Sequence, residues 1–415
     1  MTAAFVCGHA AHRDGMMALA LAAAQITAAS ALQPGPFAPT LGFLYLTDTL
    51  AAQAETVLAD VQRRWPGITV AGCVGVGIAA SGVEYFDEPA LVLMLASLPR
   101  QSFRPFSGRQ PLPGDLSRAA LLHADPTTPD LAELVTETGE RAGYLFGGLA
   151  SSRQRHLHWA GEVFEGGLSG IAFEASVALL SRVTQGCQPV GPSRRITASQ
   201  RNLVLSLDGQ PALQCLAQDL QVSLDRPAAA LPRLRATLAG LTSADDAMLG
   251  RGGQFGPDTR VRHLIGVDAA ARAVALADWV EPGMQLAFCQ RNVDAARRDL
   301  VRICTEIREE VEARLPLSPA PSTAPQPNAL PMPDGTPRSA DAAMAAAGVV
   351  AGGIAGAIYV SCTGRGGAHF GAPSAELQIV QRALGDVPLA GFFASGEVAR
   401  NHLYGYTGVL TVFLS

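Results

Sequence analysis

Lysine is missing from this chain; all 31 basic side chains are arginine. Schiff-base chemistry and the Gly-Lys-Ser/Thr phosphate loop both need an amine, so neither is available. Paired cysteines are missing too. The seven cysteines (Cys7, Cys73, Cys187, Cys215, Cys289, Cys304, Cys362) form an odd set without a C-x-x-C pair. That excludes a disulfide framework and a zinc-ribbon pattern, and predicts a reducing, cytoplasmic setting. Charge is scarce at 16%, and the net value of −5 leaves no basic stripe for nucleic acid. A basic leader is lacking as well: the apolar MMALALAAA run follows Arg13 and Asp14, and an acid beside the lone base is wrong for a signal peptide. One uncharged run, Ala342–Val360, is 19 residues long, but it is mostly Ala and Gly. Gly348, Gly352, Gly353 and Gly356 weaken any helix there, so we read a soluble helix end running into a strand, with no membrane partner.

What remains is a glycine-rich globular chain, 48% hydrophobic, long enough at 415 residues to predict two domains. After an opening helix at Asp14–Ala28, a pattern repeats three times. The first copy is a strand at Gly42–Leu46, a helix, a strand from Ile68 ending at Gly72-Cys73, and a return strand at Ala90–Ala96. The second is Ala119–Ala124, a helix at Pro129–Glu140, a strand ending at Gly147-Gly148, and Leu168–Phe173. The third is Ala357–Val360, a helix at Ser374–Leu384, a strand ending at Gly391, and Thr407–Leu414. The pattern predicts an α+β fold: mixed and antiparallel sheets built from β-α-β-β units, with helices on the outer faces. Between the second and third copies the pattern changes, with a strand at Leu203–Leu207, a hairpin at His263–Val267 and Ala273–Ala277, and a charged helix at Val293–Arg314. We place the domain boundary at 202/203, and read the stretch 316–340, with eight prolines in Pro316–Pro337, as a flexible insertion in the second half.

The third copy carries the richest chemistry. Its first strand ends in Ser361-Cys362 and turns through Gly364-Arg365-Gly366-Gly367; its second ends in Gly391-Phe392-Phe393, with Gly396-Glu397 beyond. A fixed guanidinium beside backbone N–H groups suits a carboxylate, and Glu397 suits an ammonium, so the two together would hold a zwitterion. The structural alternative is an internal Arg365–Glu397 ion pair. Phe392, Phe393, Tyr404 and Tyr406 either line an apolar pocket around that pair or pack as core. Cys362, with His369 nearby in sequence, is a candidate nucleophile, against the alternative of a buried apolar filler. Gly72-Cys73-Val74-Gly75-Val76-Gly77 has the wrong spacing and no following helix for a dinucleotide fingerprint. Cys7, His9 and His12 lack a fourth metal ligand, and His156 and His158 alternate as on a solvated strand face.

These same residues resemble the FIST (F-box and intracellular signal transduction) family over nearly the whole chain. The carrying motifs are Gly72-Cys73, Gly147-Gly148, Leu207-Asp208-Gly209-Gln210-Pro211-Ala212, and above all Ser361-Cys362-x-Gly364-Arg365 followed by Gly391-Phe392-Phe393-x-x-Gly396-Glu397. The resemblance implies an N-terminal and a C-terminal FIST domain forming a sensor of a small polar ligand, an amino acid or small carboxylate. Together with the residue chemistry above, it leads us to expect binding through Arg365, Glu397, Cys362, Gly364, Gly366, Phe392, Gly396 and Cys73, and no enzymatic activity. No output domain is recognisable, so the signal is expected to leave through a separate partner such as a histidine kinase or cyclic-nucleotide enzyme. Val74 and Ile78 depart from the family's Ser and Glu in the first half, which moves the weight to the second. None of the eight histidines shows the family's haem pattern, so no cofactor is expected; haem sensing, a Cys362 enzyme and an interaction scaffold stand as alternatives.

Overall fold

Glycine sets the spacing of the sheets. In the computed structural model, which describes residues 4–33, 35–112, 117–224, 227–244, 255–256, 258–314 and 353–415, three glycines occupy the same place in three copies of one unit. Gly72 lies opposite Leu44, Gly147 opposite Leu122 and Gly391 opposite Tyr359 in parallel strand pairs. A Cβ on any of them would stand 1.8, 2.0 or 1.8 Å from the neighbouring carbonyl oxygen. Only glycine lets the two backbones come this close.

Each unit is a parallel pair joined by a helix, with a return strand antiparallel to the first. The pairs are Leu41–Thr47 with Thr69–Gly75, Ser117–Ala124 with Leu145–Leu149, and Ile354–Cys362 with Leu389–Ala394. The return strands are Ala90–Ser97, Leu168–Glu174 and Thr407–Leu414. The predicted α+β class and the three-fold repetition are both present. The sequence did not disclose a hairpin arm in each unit between the second strand and the return strand. None of these arms pairs within its own unit. Gly77–Ala80 of the first pairs with Leu389–Ala394 of the third. Leu157–Ala160 of the second pairs with Thr69–Gly75 of the first, and Glu397–Arg400 of the third with Leu145–Leu149 of the second. The exchange is cyclic, and each of the three resulting six-stranded sheets has the same strand order.

The inner faces of the three sheets share one core. Tyr45, His123 and Phe392, one from each unit, meet with ring centroids 5.2–5.6 Å apart. On the third sheet, Ile358, Val360 and Phe392 face this core, while Tyr359, Phe393 and Leu410 face outward against the helices Val293–Arg314 and Ala375–Leu384. Strands buried on both faces read as continuous apolar runs, as these do.

The described residues between 194 and 291 hold a different structure. Six antiparallel strands (Arg194–Gln200, Leu203–Leu207, Ala273–Leu276, Arg260–Asp268, Thr237–Thr242, Gln285–Arg291) pair in that order, and the last returns to the first. This closed barrel has no free sheet edge within its ring. It is inserted into the third unit, between its flanking strand Leu179–Gln185 and Ile354–Cys362. The boundary expected at 202/203 falls in the turn between two neighbouring barrel strands. The Pro-rich stretch 316–340 and residues 342–352 of the uncharged run lie outside the described residues. Among the described residues, no helix is long and apolar enough to cross a membrane.

Candidate functional site

Parallel strands converge their carboxyl ends on open space, where ligands of such sheets gather. In the third unit those ends are Cys362 and Ala394, and the space outside them is a cleft of about 580 Å³. Cys362, Thr363, Gly364, Ser395 and Gly396 form its floor. The barrel forms the facing wall through Arg260, Arg262, His263, Asp278 and Arg291, and the arm around Asn401–Tyr406 closes one side. Five of the residues singled out from sequence, Cys362, Gly364, Gly396, Tyr404 and Tyr406, come together here.

Arg365 and Glu397 do not line the cleft. Arg365 turns under the following helix, and its partner is Glu376 rather than Glu397. Its Nε donates to Glu376 Oε1 at 2.8 Å, Nη2 stands 2.7 Å from the same oxygen, and both side chains are 1% exposed. Tyr359 OH and Ser361 Oγ also donate to Glu376, at 2.7 and 3.0 Å, and the guanidinium lies 5.2 Å over the Phe370 ring. Burial alone works against the charge, but Glu376 and then Tyr359 hold the guanidinium above its ordinary pKa. The zwitterion clamp expected from sequence is therefore replaced by an internal ion pair with a different carboxylate.

Glu397 is fully buried just behind the cleft wall. Thr407 donates to its Oε2 through N (3.0 Å) and Oγ1 (2.7 Å), while Oε1 has no nitrogen or oxygen partner among the described residues. Burial pushes its pKa up to about 7, against the pull of Thr407 and Arg365. Beside it, burial and the Glu397 charge push the Cys362 thiol up to about 12. A shift in this direction disfavours the thiolate that a nucleophilic Cys362 would need.

The other predicted site residues do not line the cleft. Phe392 belongs to the central ring cluster, and Cys73 is buried in the first unit's second strand. A Cβ on Gly366 would meet Phe86 at 2.2 Å, so that glycine serves close packing. His158, read as solvated, is fully buried: the arm carrying it extends the edge of the first sheet beside Cys73, and its Nδ1 lies 2.7 Å from Ser169 Oγ of the second unit's return strand. Tyr406 does line the cleft, with its hydroxyl 2.6 Å from His263 Nε2 and its ring under the Arg291 guanidinium.

The cleft arginines escaped the sequence reading, though Arg260-x-Arg262 places two guanidinium groups on one face of a strand. Arg262 is held by Asp278 (Nε to Oδ2, 2.8 Å) and by the Leu403 carbonyl (2.9 Å), which ties the barrel to the arm. Arg260 reaches the same Asp278 oxygen only at 3.9 Å. Arg291 Nη2 donates to the Gly364 carbonyl and lies 3.1 Å from His369 Nδ1. Among the described residues, no group of three or more His, Cys, Asp or Glu side chains is placed to hold a metal.

A second hollow of about 670 Å³ lies between the second and third units, lined by Tyr144, Phe146, Leu179 and Arg182, among others. Its Arg182 and Arg314 are answered by Glu306 and Glu310, while Arg118, which also lines it, has no ion pair among the described contacts.

Comparison with known proteins matches the FIST N domain to residues 40–210 and the FIST C domain to residues 212–400. The uncharacterized protein Rv0628c of Mycobacterium tuberculosis is 26% identical over 408 residues, covering 91% of each chain. The uncharacterized protein Mb0898c of Mycobacterium bovis is 27% identical over 409 residues, again covering 91% of each.

Proposed function

This chain belongs to the FIST family, whose domains are found in signal transduction proteins, and we propose that it senses a small polar metabolite in the cleft between the third unit and the barrel. The observation that carries this reading is the cleft itself. It lies at the carboxyl ends of the parallel pair, is walled by convergent polar side chains and is large enough for a metabolite. Its walls come from two structures, the interlocked sheets and the inserted barrel. A ligand touching both would fix their relative position, and that change is what a separate signalling partner, such as a histidine kinase or cyclic-nucleotide enzyme, would read. In this reading the protein acts in the cytoplasm without catalysis.

The test is a thermal-shift screen of metabolites on the full chain, since a ligand that binds only the folded state raises its melting temperature. The control is Gly364→Leu. A Cβ there finds only Arg291, at 3.6 Å, so the side chain projects into the cleft without a backbone clash. Hits that vanish in this variant support the cleft as the site. Hits that persist unchanged place binding elsewhere and overturn the reading.

A further inference from the structure

The charges of the cleft are unequal. Among the described residues that line it, Arg260, Arg262 and Arg291 are positive and Asp278 alone is negative. Asp278 is shared: Arg262 takes it at 2.8 Å, and Arg260 touches the same oxygen only at 3.9 Å. Arg291 meets a carbonyl, a histidine and an aromatic ring, but has no carboxylate among its described contacts. Two positive charges thus remain without a matching anion at this wall. Burial first and then the repulsion of Arg291 lower His369, and burial first and then that of Arg260, against the pull of Asp258, lower His402. The group suited to an ammonium, Glu397, is sealed behind the wall and occupied by Thr407.

We propose that the cleft selects a small organic dianion, held by Arg260 and Arg291, over zwitterionic and neutral molecules of the same size. This rests on the cleft being the sensing site. Guanidinium groups suit it because they present paired donors to carboxylate or phosphate oxygens and stay charged at any physiological pH. Arg262, with its donors committed to Asp278 and the Leu403 and Val261 carbonyls, positions the wall and is not itself the anion's partner.

The experiment is calorimetric titration of the full chain with four probes: succinate, succinamide, γ-aminobutyrate and glycerol phosphate. Succinate or glycerol phosphate should bind, more weakly as salt rises, and the better of the two identifies the acidic group. Arg260→Gln should weaken that binding about tenfold, the size of one charge-assisted hydrogen bond. Arg260 is partly exposed, so its loss should leave the melting temperature close to that of the parent; Arg291→Gln gives a second reading at the other proposed anion-binding guanidinium. Succinamide or γ-aminobutyrate binding as well as succinate overturns the proposal, as does anion binding indifferent to both substitutions. If such binding is still lost in Gly364→Leu, the cleft stands and only the charge preference fails. Binding by none of the four defeats the dianion proposal and leaves the cleft to the thermal-shift screen, whereas anion binding untouched by Gly364→Leu defeats both.

Discussion

Arg365 and Glu376 meet in the sealed outer layer of the third unit, Nε and Nη2 lying 2.8 and 2.7 Å from one carboxylate oxygen. Removing one partner leaves a charge buried without its counterion, which costs about 3–5 kcal/mol. Arg365→Ala and Glu376→Ala should each lower the denaturant midpoint by that order, whatever ligand is present. Replacing both by apolar residues of similar volume should recover much of the loss. A mild Arg365→Ala variant that only abolished ligand binding would contradict this structural role.

Glu397 links stability to pH. Its carboxyl ionises near 4.5 in the unfolded chain and near 7 in the fold. Between those values the unfolded chain has released a proton that the folded protein still holds. The group's contribution therefore falls as pH rises from about 4.5 to about 7 and is constant above, by at most about 3 kcal/mol. Glu397→Gln should flatten this component of the stability–pH curve. Parallel curves for the two proteins across that window would refute the shifted ionisation.

Cys362 should react slowly. With its thiol at about 12, alkylation by iodoacetamide at pH 8 should be far slower in the native protein than in urea, as followed by peptide mass spectrometry. Rapid native labelling at this residue would reinstate it as a nucleophile.

The repeated glycines give a graded prediction. Gly391→Ala puts a methyl group 1.8 Å from the Tyr359 oxygen, a backbone clash that should cost about 3 kcal/mol or more. Gly367→Ala meets nothing within 4 Å and bears only its φ of +66°, about 1 kcal/mol. Equal losses would show that the parallel pair can open to admit a side chain.

The three units were legible in the sequence because each repeats a local signal: an apolar strand, an amphipathic helix, and a second strand with glycine where the backbones crowd. The arm exchange was not legible. Residues such as His158 look solvated when read along their own strand, and only the pairing with Cys73 buries them. The barrel's closure has the same cause, since Gln285–Arg291 reaches Thr237–Thr242 across some forty residues. At the site, Cys362, Gly364 and Gly396 could be found as strand ends. The partner of Arg365 could not, because both Glu376 and Glu397 lay close by in sequence and only the placement of the helix chose between them. Arg260 and Arg262 offered a usable signal, two like charges at alternate positions of one strand.

The cyclic trade of hairpins among the three sheets bears on how the molecule comes apart. A chain ending after the barrel would leave an unmet strand margin in the second unit's sheet, which loses the lent Glu397–Arg400, and would leave the first unit's arm Gly77–Ala80 with no host. Such a fragment should aggregate, whereas severed pieces expressed side by side should find each other and reassemble. Melting should accordingly run as one event for the braided sheets, whatever order the ribosome delivers them in.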